Sequence, residues 1–152
     1  MKKICLFILL LLLTGCGLKY PDLDSDAQGF RMAVFVISDD ESSLAIDYNG
    51  KTYIPYGTGG LLNYKEIDKC VGFIVQDETA SSIVDENNKD TRIYTLVLDK
   101  ENNFLMQYYT KSYLMNQPIF YRAIDTKGKE IDIPKYIKSL DYDYWKEDKD
   151  EK

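Results

Sequence analysis

Short runs of β-branched and aromatic residues, separated by turn-forming residues, constrain this 152-residue chain more than any other feature. The clearest case is the segment LAIDYNGKTYI, in which Asn49-Gly50 stands between two such runs. This dipeptide accepts the positive φ angles of a type I′ turn, so it predicts a hairpin in which Tyr48 faces Lys51. Local sequence therefore favours strands over helices here.

The rest of the chain repeats this pattern. Short strands at close spacing favour antiparallel pairing, so the sequence predicts a mainly β fold: a small antiparallel sheet, sandwich or open barrel of about seven short strands. The run from Met32 to Ser38 is apolar at successive positions, which predicts a strand buried on both faces. The further strand candidates lie at 69–77, 91–99, 103–110, 118–125 and 129–133. The segment KENN at 100–103 predicts a second hairpin between the candidates at 91–99 and 103–110.

One helix is expected near the C-terminus. Pro134 suits the first turn of a helix, and Ile133, Tyr136, Ile137 and Leu140 follow helical spacing. The sequence therefore predicts a short C-terminal helix that follows the strands.

The N-terminus has the layout of a secretory signal peptide. Lys2 and Lys3 precede an unbroken apolar run, Ile4–Leu13, and small or polar residues follow it. A membrane-spanning helix needs about 20 apolar residues, roughly twice the length of this run. Residues 1–15 are therefore predicted to be a signal peptide rather than a spanning anchor.

The residues that close this segment, Leu13-Thr14-Gly15-Cys16, resemble the lipobox of bacterial lipoproteins. The resemblance implies cleavage between Gly15 and Cys16, and a diacylglycerol on the Cys16 thiol with fatty-acyl chains such as palmitate. Small neighbours and a nucleophilic thiol suit that chemistry. The alternative is an ordinary signal peptide cut nearby, which would leave a soluble secreted protein.

A lipidated Cys16 predicts a protein held in the lipid bilayer by its acyl chains, on the extracytoplasmic face of the cell membrane. Two or more acyl chains give durable anchoring, at about 0.8 kcal/mol per buried CH₂ group. Four regions are expected from this reading of the sequence. They are a signal peptide (1–15), a lipidated cysteine with an acidic linker (16–29), a β-rich globular domain (30–145) and a charged disordered tail (146–152).

The net charge of the mature chain limits the classes of partner that it can bind. Residues 1–15 contain two lysines and no acidic residue, so their removal leaves 17 basic against 25 acidic residues, a net charge of −8. Nucleic-acid binding needs clustered lysine and arginine, so a nucleic-acid partner is not expected. A basic peptide or protein is the more natural partner.

Cysteine and histidine usage excludes several kinds of site. With Cys5 in the signal peptide and Cys16 lipidated, Cys70 is the remaining thiol and is predicted to be a small buried hydrophobic residue. The chain contains no histidine, so Ser-His-Asp and Cys-His catalytic pairs and histidine-containing metal sites are excluded. No catalytic residue, metal site or cofactor is predicted.

Three aspartates near the N-terminus are spaced as in a metal-binding loop. Asp22, Asp24 and Asp26 have the spacing of a calcium loop, but Ala27 and Ala33 stand where that loop needs glycine and glutamate. The run is therefore interpreted as a solvated spacer.

Two acidic clusters and one glycine-rich stretch are also interpreted as loops rather than as functional sites. The acidic clusters Asp39-Asp40-Glu41 and Asp85-Glu86 are read as solvated loops, without a catalytic role. Gly57, Gly59 and Gly60 precede no Gly-Lys-Ser/Thr motif, so a flexible loop is predicted rather than a phosphate site.

Thirteen tyrosines and one tryptophan leave an aromatic binding platform open as a functional reading. The favoured interpretation is that tyrosine is a strand residue with one wet end. The tyrosines and the tryptophan considered for a platform are Tyr53, Tyr56, Tyr64, Tyr108, Tyr109, Tyr113, Tyr121 and Trp145.

Three functions are consistent with the sequence. The first is a non-enzymatic, membrane-anchored lipoprotein whose β-rich domain binds a ligand or partner. The second is an immunity lipoprotein that sequesters a cationic antimicrobial peptide or toxin, because a lipobox before a small β-rich domain is similar in layout to lantibiotic immunity lipoproteins. The third, an enzyme such as a wall-modifying hydrolase, has no motif in its favour.

Overall fold

The computed structural model describes residues 20–75, 89–111, 117–140 and 142–146, and within them the fold is mainly β, as predicted. Single 3-10 turns replace longer helices in these ranges, at Tyr64–Glu66, Ile124–Thr126 and Asp143–Trp145. The strands are β1 (Leu23–Arg31), β2 (Ala33–Val36), β3 (Ser42–Tyr48), β4 (Lys51–Gly59), β5 (Ile67–Val75), β6 (Thr91–Leu96), β7 (Phe104–Tyr109), β8 (Ile119–Ala123) and β9 (Ile137–Ser139).

All nine strands belong to one sheet, which curls strongly. Their order is β1-β5-β6-β7-β8-β4-β3-β2, and β9 pairs with β4. The two outermost strands, β1 and β2, are consecutive in the chain and are separated only by Met32. The sheet must therefore curl until its edges approach, and the ring of Phe30 in β1 lies 6.0 Å from that of Tyr48 in β3.

The strand pairs are antiparallel, except for the parallel pair of β1 and β5. Side chains alternate between the two sides of the curl, so Leu105 belongs to one core cluster while Phe104 and Met106 belong to another. The cluster on the concave side draws residues from seven strands: Phe30, Ile46, Tyr53, Val71, Ile74, Ile93, Leu105, Tyr121 and Ala123.

The second cluster lies on the outer side of the sheet, where other segments of the chain cover it. Leu62 and Ile137 are buried in it, and Tyr20 and Trp145 pack against it. The curled sheet therefore has an apolar layer on each side, although it is a single sheet.

The hairpin predicted at Asn49-Gly50 is confirmed, whereas the strand predicted at 129–133 is wrong, because these residues form no strand in the structure. Asn49 and Gly50 have φ angles of 50° and 74°, and Tyr48 pairs with Lys51 as expected. The strands β6 and β7 also form an antiparallel pair, and Asn102 in their connection has a positive φ angle of 50°.

The predicted C-terminal helix is wrong, because Ile137–Ser139 forms strand β9 against β4. Gly57 and Gly59, expected in a flexible loop, belong to β4 and make this pairing possible. A Cβ atom on Gly57 would collide with the backbone oxygen of Lys138, and one on Gly59 would lie 2.7 Å from that of Tyr136. Close backbone approach therefore outweighs the helical spacing of the apolar side chains.

The acidic linker expected up to Gly29 differs in the structure, where strand β1 begins at Leu23. Two of its aspartates lie beside basic residues of β5 and β6. The Arg92 guanidinium is 3.4 Å from the Asp22 carboxylate, and the Lys69 ammonium is 3.9 Å from that of Asp24. These contacts offset the charge that made the segment resemble a spacer.

The prediction that Met32–Ser38 is buried on both faces is also wrong. The strand in this run, β2, lies at the edge of the described sheet, and Val34 and Val36 are each 70% exposed. The expected signal peptide (1–15), Cys16, residues 76–88 and the tail residues 147–152 lie outside the described residues.

Gly72 of β5 lets the backbone of β1 approach closely in their parallel pair. A Cβ atom there would collide with the Gln28 carbonyl oxygen and lie 2.5 Å from the Phe30 ring. Gly60 is a matched control, since a Cβ atom there would have no neighbour within 4 Å.

We expect Gly72→Ala to lower the free energy of unfolding by about 2 kcal/mol or more, because overpacking displaces β1. Gly60→Ala should leave that free energy within about 0.5 kcal/mol of the unsubstituted protein. Chemical denaturation followed by circular dichroism measures both values. Equal losses in the two variants would contradict the role of close backbone approach at Gly72.

Candidate functional site

The sheet splits along β4, and the split creates a cleft. Strand β3 pairs with β4 only through Ile46–Tyr48. Two residues farther along β4 lies Pro55, which has no backbone N–H to donate to a neighbouring strand. Farther along still, β9 pairs with β4 at Gly57–Gly59. The first half of β3 therefore follows β2 away from β4 and leaves a gap.

The C-terminal segment enters this gap and is fixed to β4. The backbone N–H of Leu140 donates to the Tyr56 carbonyl at 2.8 Å, and the indole N–H of Trp145 donates to the Pro55 carbonyl at 2.9 Å. On the other wall, the Tyr144 ring lies edge-on to Phe35 of β2, with centroids 5.9 Å apart. The segment therefore bridges the two separated parts of the sheet.

Arg122 supports this arrangement from below. Its guanidinium is buried and donates to the hydroxyl and carbonyl oxygens of Thr126, both at 2.8 Å. It also lies 4.8 Å from the Trp145 ring centroid and 5.3 Å from that of Tyr56. A cation held between two aromatic rings stabilises their positions, so Arg122 is a positioning residue for the cleft wall.

The cleft itself holds about 100 Å³. Sites for whole cofactors or drug-sized molecules usually hold about 300–1,000 Å³, so this cleft suits a single side chain of a larger partner. Its walls combine one carboxylate, two serine hydroxyls and three aromatic rings, two of them tyrosine. The residues that line it are Ile37, Glu41, Ser42, Ser43, Ile54, Pro55, Tyr142, Tyr144 and Trp145.

One face of the β2–β3 hairpin beside the cleft is apolar and exposed. Val34 pairs directly with Leu44, so both side chains point to the same face, and Val36 shares it two residues farther along. Val34 and Val36 are 70% exposed and Leu44 is 47% exposed. Single exposed apolar residues are ordinary, but three on one face of an edge hairpin form a surface that a partner can cover.

The turn that joins β2 to β3 carries the acidic cluster Asp39-Asp40-Glu41, interpreted from sequence as a solvated loop. Asp39 and Asp40 are exposed, which agrees with that interpretation, whereas Glu41 is half-buried and lines the cleft. The Glu41 carbonyl accepts hydrogen bonds from the backbone N–H groups of Ile37 and Ser38 at 2.9 and 3.0 Å. These bonds fix the backbone of the turn, and Glu41 lies at the cleft wall.

The tyrosines do not form a continuous platform within the described residues. Tyr53, Tyr94 and Tyr121 lie in the two apolar cores, and burial raises the pKa of each above its ordinary value. The hydroxyl of Tyr53 donates to the Asn102 carbonyl at 2.6 Å, and that of Tyr121 donates to Gln107 Oε1 at 2.7 Å. These three tyrosines therefore belong to the core and are not available to an aromatic binding platform.

Tyr94 differs from them, because its buried hydroxyl has no partner in hydrogen-bond geometry. Arg92 and Cys70 lie beside it and influence its ionisation. Of the other tyrosines considered for a platform, Tyr64 and Tyr109 are exposed, and Tyr113 lies outside the described residues.

Cys70 is fully buried, as predicted from its apolar surroundings. Burial raises the pKa of its thiol, and its Sγ donates to the Gly72 carbonyl at 3.5 Å. A buried thiol with a raised pKa is a poor nucleophile at neutral pH. Cys70 therefore acts as a packing residue.

The described ranges contain no group of three or more carboxylate or cysteine ligands placed to hold a metal ion. They also contain no helix that is long and apolar enough to cross a membrane. Of the sequence-predicted positions, Gly15, Cys16, Asp85 and Glu86 lie outside these ranges.

The cleft was missed by sequence reasoning, although two signals for it are present. Pro55 interrupts a β-rich run, and a proline within such a run indicates an edge or a break in pairing. Tyr142, Tyr144 and Trp145 recur near the C-terminus among acidic residues, where a solvated tail needs no aromatic rings. The pairing of these two features is a tertiary event.

No protein-family model, curated protein or solved structure matches this chain. Its function must therefore be inferred from its own residues.

The raised tyrosine pKa values predict a stability that depends on alkaline pH. Burial is the main cause for Tyr20 and Tyr136, whose pKa values rise from 10.0 to about 12, with a smaller contribution from Glu66 in both. An unfolded chain loses these protons near pH 10 while the folded chain keeps them, so folding is favoured fully below about pH 10. The free energy of unfolding should fall progressively between about pH 10 and 12.

Denaturation at several pH values, with tyrosinate absorbance as a parallel measurement, tests this dependence. A free energy of unfolding that stays constant up to about pH 12 would show that these hydroxyls ionise equally in both states.

Proposed function

We propose that this chain is a lipid-anchored, extracytoplasmic binding protein without enzymatic activity, held in the bilayer by a diacylglycerol on Cys16. The sequence Leu13-Thr14-Gly15-Cys16, at the end of a signal-peptide layout, is the observation that carries the anchor. The binding surface is the β2–β3 hairpin with the cleft beside it.

The shape of this surface favours a peptide or protein partner. A cleft of about 100 Å³ accepts one side chain, while the exposed face of Val34, Val36 and Leu44 lies on the hairpin whose turn lines the cleft. The β2 strand also pairs with only one neighbour, β3, among the described residues. An edge strand of this kind can pair with an extended segment of a partner, whose alternate side chains contact the apolar face.

The charge of the surface favours a basic partner. Glu41 lines the cleft together with the Tyr142 ring, and Asp39 and Asp40 extend the acidic turn. A carboxylate beside an aromatic ring suits a lysine or arginine side chain, which gains both charge pairing and a cation–π contact. The net charge of −8 in the proposed mature chain would steer such a partner towards the protein.

This acidic and apolar combination supports a more specific second candidate, an immunity lipoprotein. Such a protein would sequester a cationic antimicrobial peptide or toxin at the membrane surface before the peptide reaches the bilayer. Cationic membrane-active peptides present basic and apolar side chains together, as this hairpin would require.

Replacing the lipidated thiol tests the anchor. We expect Cys16→Ser to move the protein from the membrane fraction to the soluble fraction, because removal of the acyl chains leaves a hydrophilic domain. Intact-mass analysis should show that the diacylglycerol is lost with it. Cys5→Ser is the matched control and should leave both the lipid and the membrane fraction unchanged.

Membrane retention of the Cys16→Ser protein, or an unmodified Cys16 in the original protein, would contradict the anchor.

Replacing the cleft carboxylate tests the binding surface. We expect a synthetic peptide of alternating lysine and apolar residues to bind the protein in calorimetry. Glu41→Gln should weaken that binding about fivefold, the effect of losing roughly 1 kcal/mol from one charge pair. Glu130→Gln is the control, since Glu130 is exposed and does not line the cleft.

Val34→Ser should also weaken the peptide, because it removes apolar surface from the hairpin. Binding that is indifferent to Glu41 and Val34 would exclude this surface as the peptide site.

A further inference from the structure

Residues 60–66 join β4 to β5 and pass over the outer side of the sheet, where Leu62 is buried. Three large apolar side chains are exposed on or near this segment. Leu61 and Tyr64 belong to this segment and are 66% and 37% exposed. Leu98, in the connection between β6 and β7, is 78% exposed. We call these three residues the apolar rim.

Hydrogen bonds tie the parts of the apolar rim together. The backbone N–H of Val97, next to Leu98, donates to the Glu66 carbonyl at 2.9 Å. The Glu66 carboxylate in turn accepts from the backbone N–H of Asn63 at 2.8 Å, which fixes the turn that contains Tyr64. Tyr64 and Leu98 therefore lie on two connected turns, and Leu61 precedes the first of these turns by two residues.

The described chain begins at the same place. The hydroxyl of Tyr20 donates to the carbonyl of Leu62, the neighbour of Leu61, at 2.9 Å. The Tyr20 ring also packs on Tyr94 and Tyr108, with centroids 5.7 and 4.9 Å away. Tyr20 is thus fixed to the segment 60–66 by a hydrogen bond and to the neighbouring strands by ring contacts.

The short connection to the anchor then limits where the bilayer can lie. Tyr20 is four residues after Cys16, and four fully extended residues span at most about 14 Å. A bilayer that holds the acyl chains of Cys16 must therefore come within about that distance of Tyr20. The exposed side chains beside Tyr20 are the ones that meet it.

We propose that the apolar rim inserts into the lipid headgroup region and sets one orientation of the domain on the bilayer, an inference that rests on the lipid anchor proposed above. Leucine side chains bury in the interface, and tyrosine suits it because its ring is apolar and its hydroxyl remains wet. The partner of this surface is a lipid bilayer.

Charge does not drive the contact. Lys65 and Lys100 lie close to the rim in sequence, but so do Glu66 and Asp99. The insertion should therefore depend on apolar burial and change little with salt concentration, unlike binding by a basic patch.

The proposed orientation also places the cleft. The Asn49-Gly50 turn lies beside the β6–β7 connection, because Lys51 Nζ donates to the Glu101 carbonyl at 2.8 Å. The acidic turn is at the other end of β3, whose seven residues span about 20 Å. The Asp39-Asp40-Glu41 turn therefore lies at the far end of β3 from the β6–β7 connection that carries Leu98.

Depth-dependent quenching on the full-length lipoprotein tests the orientation. The variants Leu61→Cys, Leu98→Cys and, as a control with similar exposure, Val36→Cys are labelled with an environment-sensitive thiol dye. Cys5 leaves with the signal peptide, Cys16 is blocked by its lipid and Cys70 is buried, so the introduced thiol takes the dye. Each protein is reconstituted into phosphatidylcholine vesicles with and without spin-labelled lipid.

We expect the dye at positions 61 and 98 to be quenched and blue-shifted, and the dye at position 36 to be unaffected. Flotation of the protein with vesicles, but equal quenching at all three positions or none at any, would overturn the orientation and leave the anchor intact. Failure to float, with an unmodified Cys16 mass, would overturn the anchor and this inference together.

A second measurement avoids the labels. In the Cys16→Ser protein, adding Leu61→Glu and Leu98→Glu should lower residual vesicle partitioning about tenfold or more, whereas adding Val36→Glu should not change it. Equal effects of the three charges would overturn the proposal, and circular dichroism checks that each variant is folded.

Discussion

The direct passage from β1 to β2 through Met32 is the constraint on which the rest of the structure depends. One continuous stretch of chain supplies both edges of the sheet, pairing with β5 on one side and with β3 on the other. The sheet must curl to satisfy both pairings, and the curl encloses a core to which seven strands contribute. Gly72 allows the close pairing of β1 with β5 at one edge of the sheet, where a side chain would displace β1.

The cleft follows from the same constraint. The first half of β3 pairs with β2, and only Ile46–Tyr48 of β3 pair with β4, so β4 lacks this neighbour beyond Tyr53. The backbone carbonyls of β4 beyond that point still need donors. Leu140 and Trp145 supply them, so the C-terminal segment both completes the fold and forms the aromatic wall of the site.

Sequence reasoning succeeded where structure is decided by neighbouring residues. The Asn49-Gly50 turn, the pairing of β6 with β7 and the burial of Cys70 all follow from local composition. The general class of fold, mainly β, is predictable for the same reason.

The errors arise where distant residues decide the outcome. From sequence, the aspartates after Pro21 resemble a solvated linker. In the folded chain, Arg92 and Lys69, some 45 or more residues away in sequence, lie beside two of them. The apolar spacing at 133–140 fits a helix, but the glycines of β4 admit a strand there. The cleft combines a proline in β4 with rings some 90 residues later, so no local pattern could locate it.

Trp145 has a consequence for how this protein can be observed. It is the single tryptophan of the chain, and its indole is fixed between a backbone carbonyl and the Arg122 guanidinium at the wall of the cleft. Intrinsic indole emission from the protein therefore comes from one position, at the cleft. The molecule carries its own fluorescent reporter of whether that wall is empty, occupied or displaced.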